Sequence, residues 1–251
     1  MKANIKRLIY MLVVAMLLGN VMVLESIAMP QKNTVTVSTQ ATFTVCIDPG
    51  HQAKGDSKGE PIAPGSSHKK ARVSSGTSGV GTKKAEYAVN LQAAMILKEL
   101  LTSKGYTVIM TRETNEVNIS NSERAKLAND AKADMTIRIH CDSIGNSSKS
   151  GASLLVPSKK SAYTASIFEP SYQYAKLLKT TLQNEGVKVN GIFERSDMTG
   201  FNWSKVPVII FEMGFMSNWS EDKLLSSKTY QTKLMQAVAK SLEDYKQTLT
   251  Q

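Results

Sequence analysis

Phe43-Thr-Val-Cys-Ile-Asp-Pro-Gly-His51 is a short run of strand-forming residues closed by a Pro-Gly pair, with a histidine directly behind it. Working outward, residues 86–104 place Val89, Ala93, Ile96, Leu97, Leu100 and Leu101 on one helical face, and Gly105 ends the pattern. Residues 106–111 read as the next strand. Ser120-Asn-Ser-Glu123 is a capping box that opens a helix reaching about residue 131, and residues 135–140 form a third strand. The second half continues with a strand over 152–156, a helix over 171–184, an apolar strand over 206–211 and a closing helix over 230–245. Strands alternating with helices predict a single α/β domain: three αβα layers around a largely parallel, twisted sheet flanked by helices.

Composition narrows the class. The chain has 251 residues, 41% apolar and 21% charged, which is ample for one core and unlike a disordered tail or a polytopic membrane protein. Two cysteines exclude a disulfide-rich scaffold. Aromatics at 6%, dispersed lysines and no recognition-helix motif argue against nucleic acid as a partner, so the +10 charge points instead to anionic surroundings. At the start, Lys2, Lys6 and Arg7 precede an apolar run, and Ser26-Ile27-Ala28 has the small-x-small form of a cleavage site. Residues 1–28 are therefore expected to be a signal peptide or an N-terminal anchor, and 29–42 a linker. The expected location is extracytoplasmic, in or near the cell wall, with membrane contact only through an uncleaved leader.

Residues 52–85 interrupt the regular alternation with six Gly, six Ser and seven Lys/Arg. This long basic loop reads either as a solvated insertion or as a rim that helps bind substrate.

Ligands of open α/β sheets gather at the carboxyl ends of the strands. Asp48 and His51 follow the first strand, His140 ends the third, Glu212 follows the late strand, and Glu86 begins the first helix. Two histidines and one carboxylate from separate elements form a catalytic zinc ligand set. A further carboxylate, not bound to metal, can take a proton from water. Glu212 stands in the apolar run Ile209-Ile-Phe-Glu-Met-Gly-Phe215, where a carboxylate must be paired or functional.

These segments also carry a resemblance. Val45-Cys-Ile-Asp-Pro-Gly-His51, Glu86-Tyr-Ala-Val-Asn-Leu91, Ile139-His140 and Pro207-Val-Ile-Ile-Phe-Glu-Met-Gly-Phe-Met-Ser-Asn218 resemble, in order, the zinc-dependent N-acetylmuramoyl-L-alanine amidases over about residues 43–246. The resemblance implies a catalytic domain over 43–251 and a secreted cell-wall hydrolase that cuts the amide between N-acetylmuramic acid and L-alanine. It implies one Zn2+ per chain on His51, Glu86 and His140, with Glu212 activating the metal-bound water. It further implies peptidoglycan as partner, a monomer, and room for a protein activator. The chain departs from the usual pattern at Gln52, where Gly is common, and at Cys141-Asp142, where Ala-Asn is common.

Around this centre, Asp48 is expected to orient His51, while Asp142, Asn202 and Trp203 are expected to contact substrate. His68 is expected in solvent, and Arg138, odd inside a strand, should have an acidic partner. If Asp48 and His140 sit level on adjacent strands, Cys46 and Cys141 are offset by about three residues, roughly 10 Å, too far for a disulfide. The alternatives to an amidase are another wall-directed zinc hydrolase, either a peptidase or a sugar deacetylase, and a non-catalytic wall-binding protein on the same fold.

Overall fold

The computed structural model describes residues 42–250, so the expected leader and nearly all of the expected linker lie outside the described residues. In chain order the elements are β1 (Thr44–Pro49), β2 (Asp56–Pro61), β3 (Lys69–Val73), α1 (Glu86–Ser103), β4 (Thr107–Met110), α2 (Asn121–Asp130), β5 (Met135–Asp142), β6 (Ala152–Pro157), α3 (Ala165–Asn184), β7 (Val189–Arg195), α4 (Thr199–Asn202), β8 (Val208–Phe215), α5 (Trp219–Leu225) and α6 (Lys228–Thr248). Six strands form one sheet in the order β4-β1-β5-β8-β6-β7, and β2 and β3 pair as a separate hairpin. Strands β4, β1, β5 and β8 are mutually parallel; β6 pairs antiparallel with β8 and parallel with β7. The architecture is the expected three-layer α/β arrangement, with one reversal in its sheet.

Alternation along the strands sets the two faces. Val45, Ile47, Ile137, Ile139, Ile209 and Phe211 point to one side and share the main core with α1, α3 and α6. Along α1 the buried stripe is Val89, Ala93, Leu97 and Leu101, the spacing that keeps one helical face on a sheet. The other face is different in kind. Asp48, Arg138, His140 and Glu212 occupy its centre, while Phe201 of α4 clusters with Val208 and Ile210, and Ala128 of α2 with Cys46. The hairpin is fastened to this layer. Arg72 bridges Asp56 and Glu123, and the Trp203 indole donates to the Pro61 carbonyl.

Several boundaries differ from the sequence expectation. The capping box at α2 is present, with the Ser120 hydroxyl accepting from Glu123 N–H and the Glu123 carboxylate from Ser120 N–H. Helix α3 starts ahead of Pro170, because burial of Ile167 and Phe168 holds its first turn on the protein. Strands β5 and β8 run past their expected ends because they pair with each other at the centre of the sheet, so His140 and Glu212 are cross-strand partners within strands. The segment 52–85 is not a structureless loop, since β2 and β3 pair as a hairpin within it. Arg138 has its acidic partner in Asp48. Cys46 lies opposite Thr136, so Cys141 is displaced by five residues rather than three, about 16 Å. Both thiols are buried and free.

Candidate active site

The turn after β1 delivers the first histidine. His51 adopts φ +62, a left-handed conformation uncommon outside glycine. Four carbonyl contacts hold it there: Arg112 donates to Pro49 and Gly50 carbonyls, and Arg124 to those of Pro49 and His51. Gly50 has no substitute, since a methyl group there would collide with the His140 ring.

Asp48 serves this turn indirectly. Its carboxylate accepts from Thr111, Arg124 and Arg138 at 2.6–2.7 Å, and none of these bonds involves the His51 ring. The expectation that Asp48 orients the imidazole is thereby corrected: the aspartate anchors Arg124, which holds the backbone. The ring is oriented by Ser74. His51 Nδ1 lies 3.1 Å from the Ser74 carbonyl and 2.8 Å from its hydroxyl. A carbonyl can only accept, so Nδ1 carries the proton and Nε2 presents a lone pair.

That lone pair faces Glu86, whose Oε1 is 3.1 Å from His51 Nε2 and 3.4 Å from His140 Nδ1. Glu86 is almost fully buried at the start of α1. Its Oε1 accepts from Cys141 N–H and the Asn90 amide, and its Oε2 from Thr77 N–H. Asn90 stands four residues along the same helical face, a spacing that brings two side chains together. Gly76, at φ +77, passes so close to Glu86 and His51 that a β-carbon would strike both.

The electrostatics follow from burial and proximity. Burial opposes the charge on Glu86, but the adjoining His140 and His51 rings outweigh it and hold the carboxyl below the usual range. Burial pushes the His140 pKa down to about 4, so the ring is neutral at neutral pH. Burial raises the Glu212 pKa well above the usual carboxylate value, and the nearby charges of Glu86 and Asp142 add to it.

This donor set fits a divalent metal ion. One ligand atom from each of His51, Glu86 and His140 lies within 4.8 Å of the others. Two imidazoles and a carboxylate oxygen converge, which is a zinc-type set. His140 Nε2 and Glu212 Oε2 are both buried without a hydrogen-bond partner among the described residues.

The remaining expected site residues fall in two places. Asp142 ends β5, close enough for its charge to act on Glu212. Asn202 donates to the Ser196 carbonyl and Trp203 to that of Pro61, so both spend their donors fastening α4 to its surroundings rather than facing the cluster. His68 sits exposed at the hairpin turn. The sequence reading missed Ser74, Thr77, Asn90, Arg112 and Arg124. Only Asn90 carried a signal, its helical spacing from Glu86.

A half-buried histidine–glutamate–histidine cluster beside a carboxyl at the centre of a largely parallel sheet defines a hydrolase-type centre able to hold a metal. The family model described as N-acetylmuramoyl-L-alanine amidase matches residues 45–244. The chain therefore belongs to the N-acetylmuramoyl-L-alanine amidase family of cell-wall hydrolases. It is similar to the N-acetylmuramoyl-L-alanine amidase Rv3717 of Mycobacterium tuberculosis, 26% identical over 220 residues that cover 84% of this chain and 90% of that one. It also resembles the germination-specific N-acetylmuramoyl-L-alanine amidase of Bacillus subtilis, 27% identical over 186 residues, covering 66% of this chain and 73% of the other. Among solved structures, the apo form of the N-acetylmuramyl-L-alanine amidase Ami1 from Mycobacterium abscessus superposes with a TM-score of 0.73 at 25% identity, over 80% of this chain and 97% of that one.

Proposed function

We propose that the chain is a zinc-dependent hydrolase that cleaves the amide between the lactyl group of N-acetylmuramic acid and L-alanine in peptidoglycan, with Glu212 activating the water. The observation that supports this reading is the register of β5 and β8, which sets Glu212 directly beside His140, a member of the His51–Glu86–His140 cluster. His51, Glu86 and His140 would hold one Zn2+ per chain, which supplies Lewis acidity by lowering the pKa of water and polarising the scissile carbonyl.

The protein's own groups do the rest. Glu212 accepts a proton from the attacking water as its oxygen bonds to the lactyl carbonyl carbon. The same carboxyl then gives a proton to the alanine nitrogen as the C–N bond breaks, releasing a lactyl carboxylate and a free amino terminus. Its apolar burial suits a group that must both gain and lose a proton near neutrality. Ser74 keeps the His51 lone pair facing inward, and Thr77, Asn90 and Cys141 fix the Glu86 carboxylate. Asp142, at the mouth beside Glu212, is the residue we assign to a substrate N–H. Peptidoglycan lies outside the cytoplasmic membrane, and the chain acts there.

Digestion of purified peptidoglycan with zinc or with chelator, read by mass spectrometry, tests the reading. New amino-terminal alanine, lost with chelator, is expected. Released acetate, new termini within the stem peptide, or wall binding without product would contradict it. Glu212→Ala should keep its metal and lose turnover by about 10²- to 10⁴-fold, the usual worth of a general acid–base group.

A further inference from the structure

Gln52 directly follows the first histidine, at a position where Gly is common in the family, and its side chain is fully buried. An amide at that depth spends its polar atoms on the protein. Its Oε1 accepts from the Ile119 N–H at 3.1 Å and from Arg124 Nη2 at 3.3 Å. Its Nε2 donates to the Lys54 carbonyl at 2.9 Å. Two donors thus meet one end of the side chain, and an acceptor meets the other. An amide answers both ends. A carboxylate would set an oxygen against the Lys54 carbonyl, and an ammonium has nothing to offer Ile119 or Arg124.

The partners of Oε1 show what the amide holds. Arg124 Nη2 has two hydrogens, and its other acceptor, at 3.0 Å, is the carbonyl of His51 itself. One nitrogen therefore ties the His51–Gln52 peptide and the Gln52 side chain to the same point. Ile119 belongs to the segment between β4 and α2, which reaches the turn again through the Asn115 carbonyl, an acceptor for Ala53 N–H. The histidine so enclosed has φ +62, and a left-handed residue that carries a side chain persists only where its surroundings over-determine it. Arg112 and Arg124 fix the carbonyls of residues 49–51, and the Gln52 amide fixes the chain beyond them.

We propose that Gln52 is a positioning residue for the metal site: by clamping the carboxyl side of His51 to Ile119 and Arg124, it holds the backbone that aims the His51 imidazole at Glu86. This rests on the zinc reading above and deepens it, since the Gln52 side chain bonds to none of His51, Glu86 or His140 through their side chains and acts through the turn alone.

Zinc affinity, read by competition with a coloured chelator, tests this on the wild type, Gln52→Met, Gln52→Glu and Ser241→Ala. Methionine keeps the length and drops every hydrogen bond, so Gln52→Met should weaken zinc binding by about 10- to 100-fold, the usual loss when a group supporting a ligand is removed. Glutamate keeps the acceptor for Ile119 and Arg124, so Gln52→Glu should fall between Gln52→Met and the wild type. Loaded with Co2+, Gln52→Met should also show an altered visible absorption band, because a ligand no longer held in place changes the field at the metal. Ser241→Ala removes buried hydroxyl contacts with Tyr174 and the Val238 carbonyl, in the layer of α3 and α6, and should lower the Tm while keeping wild-type zinc affinity. Wild-type affinity in Gln52→Met, or a loss matched by Ser241→Ala, would overturn the proposal and leave the zinc site standing. If Gln52→Met does not fold, Gln52→Glu decides: reduced affinity supports the role, and unchanged affinity overturns it. A wild-type chain that binds no zinc would overturn the metal reading itself.

Discussion

Asp48 shows how much of this site is held by a residue outside the chemistry. It is buried with both oxygens occupied, and it pairs with two guanidiniums inside the protein. Burial alone would raise its pKa; Arg124, Arg138 and the Thr111 hydroxyl reverse that and hold it far below the usual value. A carboxyl depressed on folding stabilises the protein above its unfolded pKa, near pH 4, and that stabilisation drains away as pH falls toward the folded value. Asp48→Asn should therefore cost about 3–5 kcal/mol at neutral pH, the penalty for leaving a buried charge unpaired. Between about pH 4 and pH 2 its stability should also fall less steeply than that of the wild type. Denaturant titrations at several pH values measure both, and parallel curves would contradict the assignment. At this scale the His51–Glu86–His140 cluster and Glu212 were legible, because each of the four residues stands at the start or end of its own stretch of sequence pattern. Ser74 was not, because it comes from a Gly/Ser-rich stretch in which no spacing distinguishes one serine from another.

At the scale of elements, α5 is the piece whose work was hidden. The Asn218 side chain caps it, accepting from Ser220 and Glu221 N–H, and it then directs two acids inward. Glu221 accepts from the N–H groups of Phe215 and Gly151, tying the end of β8 to the start of β6. Asp222 is fully buried and accepts from Gly81 N–H, Thr82 N–H and the Thr82 hydroxyl at 2.7–2.8 Å. The segment it grips leads straight into Glu86, and Thr77 and Glu86 bond each other's backbone and side chain across it. Asp222→Ala should loosen that segment and weaken zinc binding by about 10- to 100-fold, as loss of a supporting contact to a metal ligand does. Competition with a chromophoric chelator would show the change; wild-type affinity would mean that the segment holds Glu86 without α5. Neither α5 nor the β2–β3 hairpin was read from the sequence. The hairpin strands, Asp-Ser-Lys-Gly-Glu-Pro and Lys-Lys-Ala-Arg-Val, lack an apolar alternation, and their pairing is secured by Arg72 bridging Asp56 and Glu123. Strand β7, Val-Asn-Gly-Ile-Phe-Glu-Arg, was missed for a related reason: an edge strand with one open face has no buried run to betray it.

Taken whole, the molecule sets an apolar sheet face against a polar one, and the site arises where the polar face reaches the carboxyl ends of β1 and β5. The apolar face was readable because each central strand alternates with the same phase, and because α1 and α6 repeat the matching helical stripe. The reversal at β6 was not readable, since a short apolar strand such as Ala-Ser-Leu-Leu-Val-Pro looks the same in either direction. That reversal brings the start of β6 to the level of Glu212, where Ser153 is its cross-strand partner. Among the described residues no helix is long and apolar enough to cross a membrane. The most direct measurement is elemental analysis of the purified chain alongside alanine release from peptidoglycan, for the wild type and for His140→Ala. The wild type should hold one zinc per chain and release amino-terminal alanine; the variant should lose both together. A wild-type chain that releases alanine at full rate without bound metal, or a His140→Ala chain that retains both zinc and activity, would contradict the central claim.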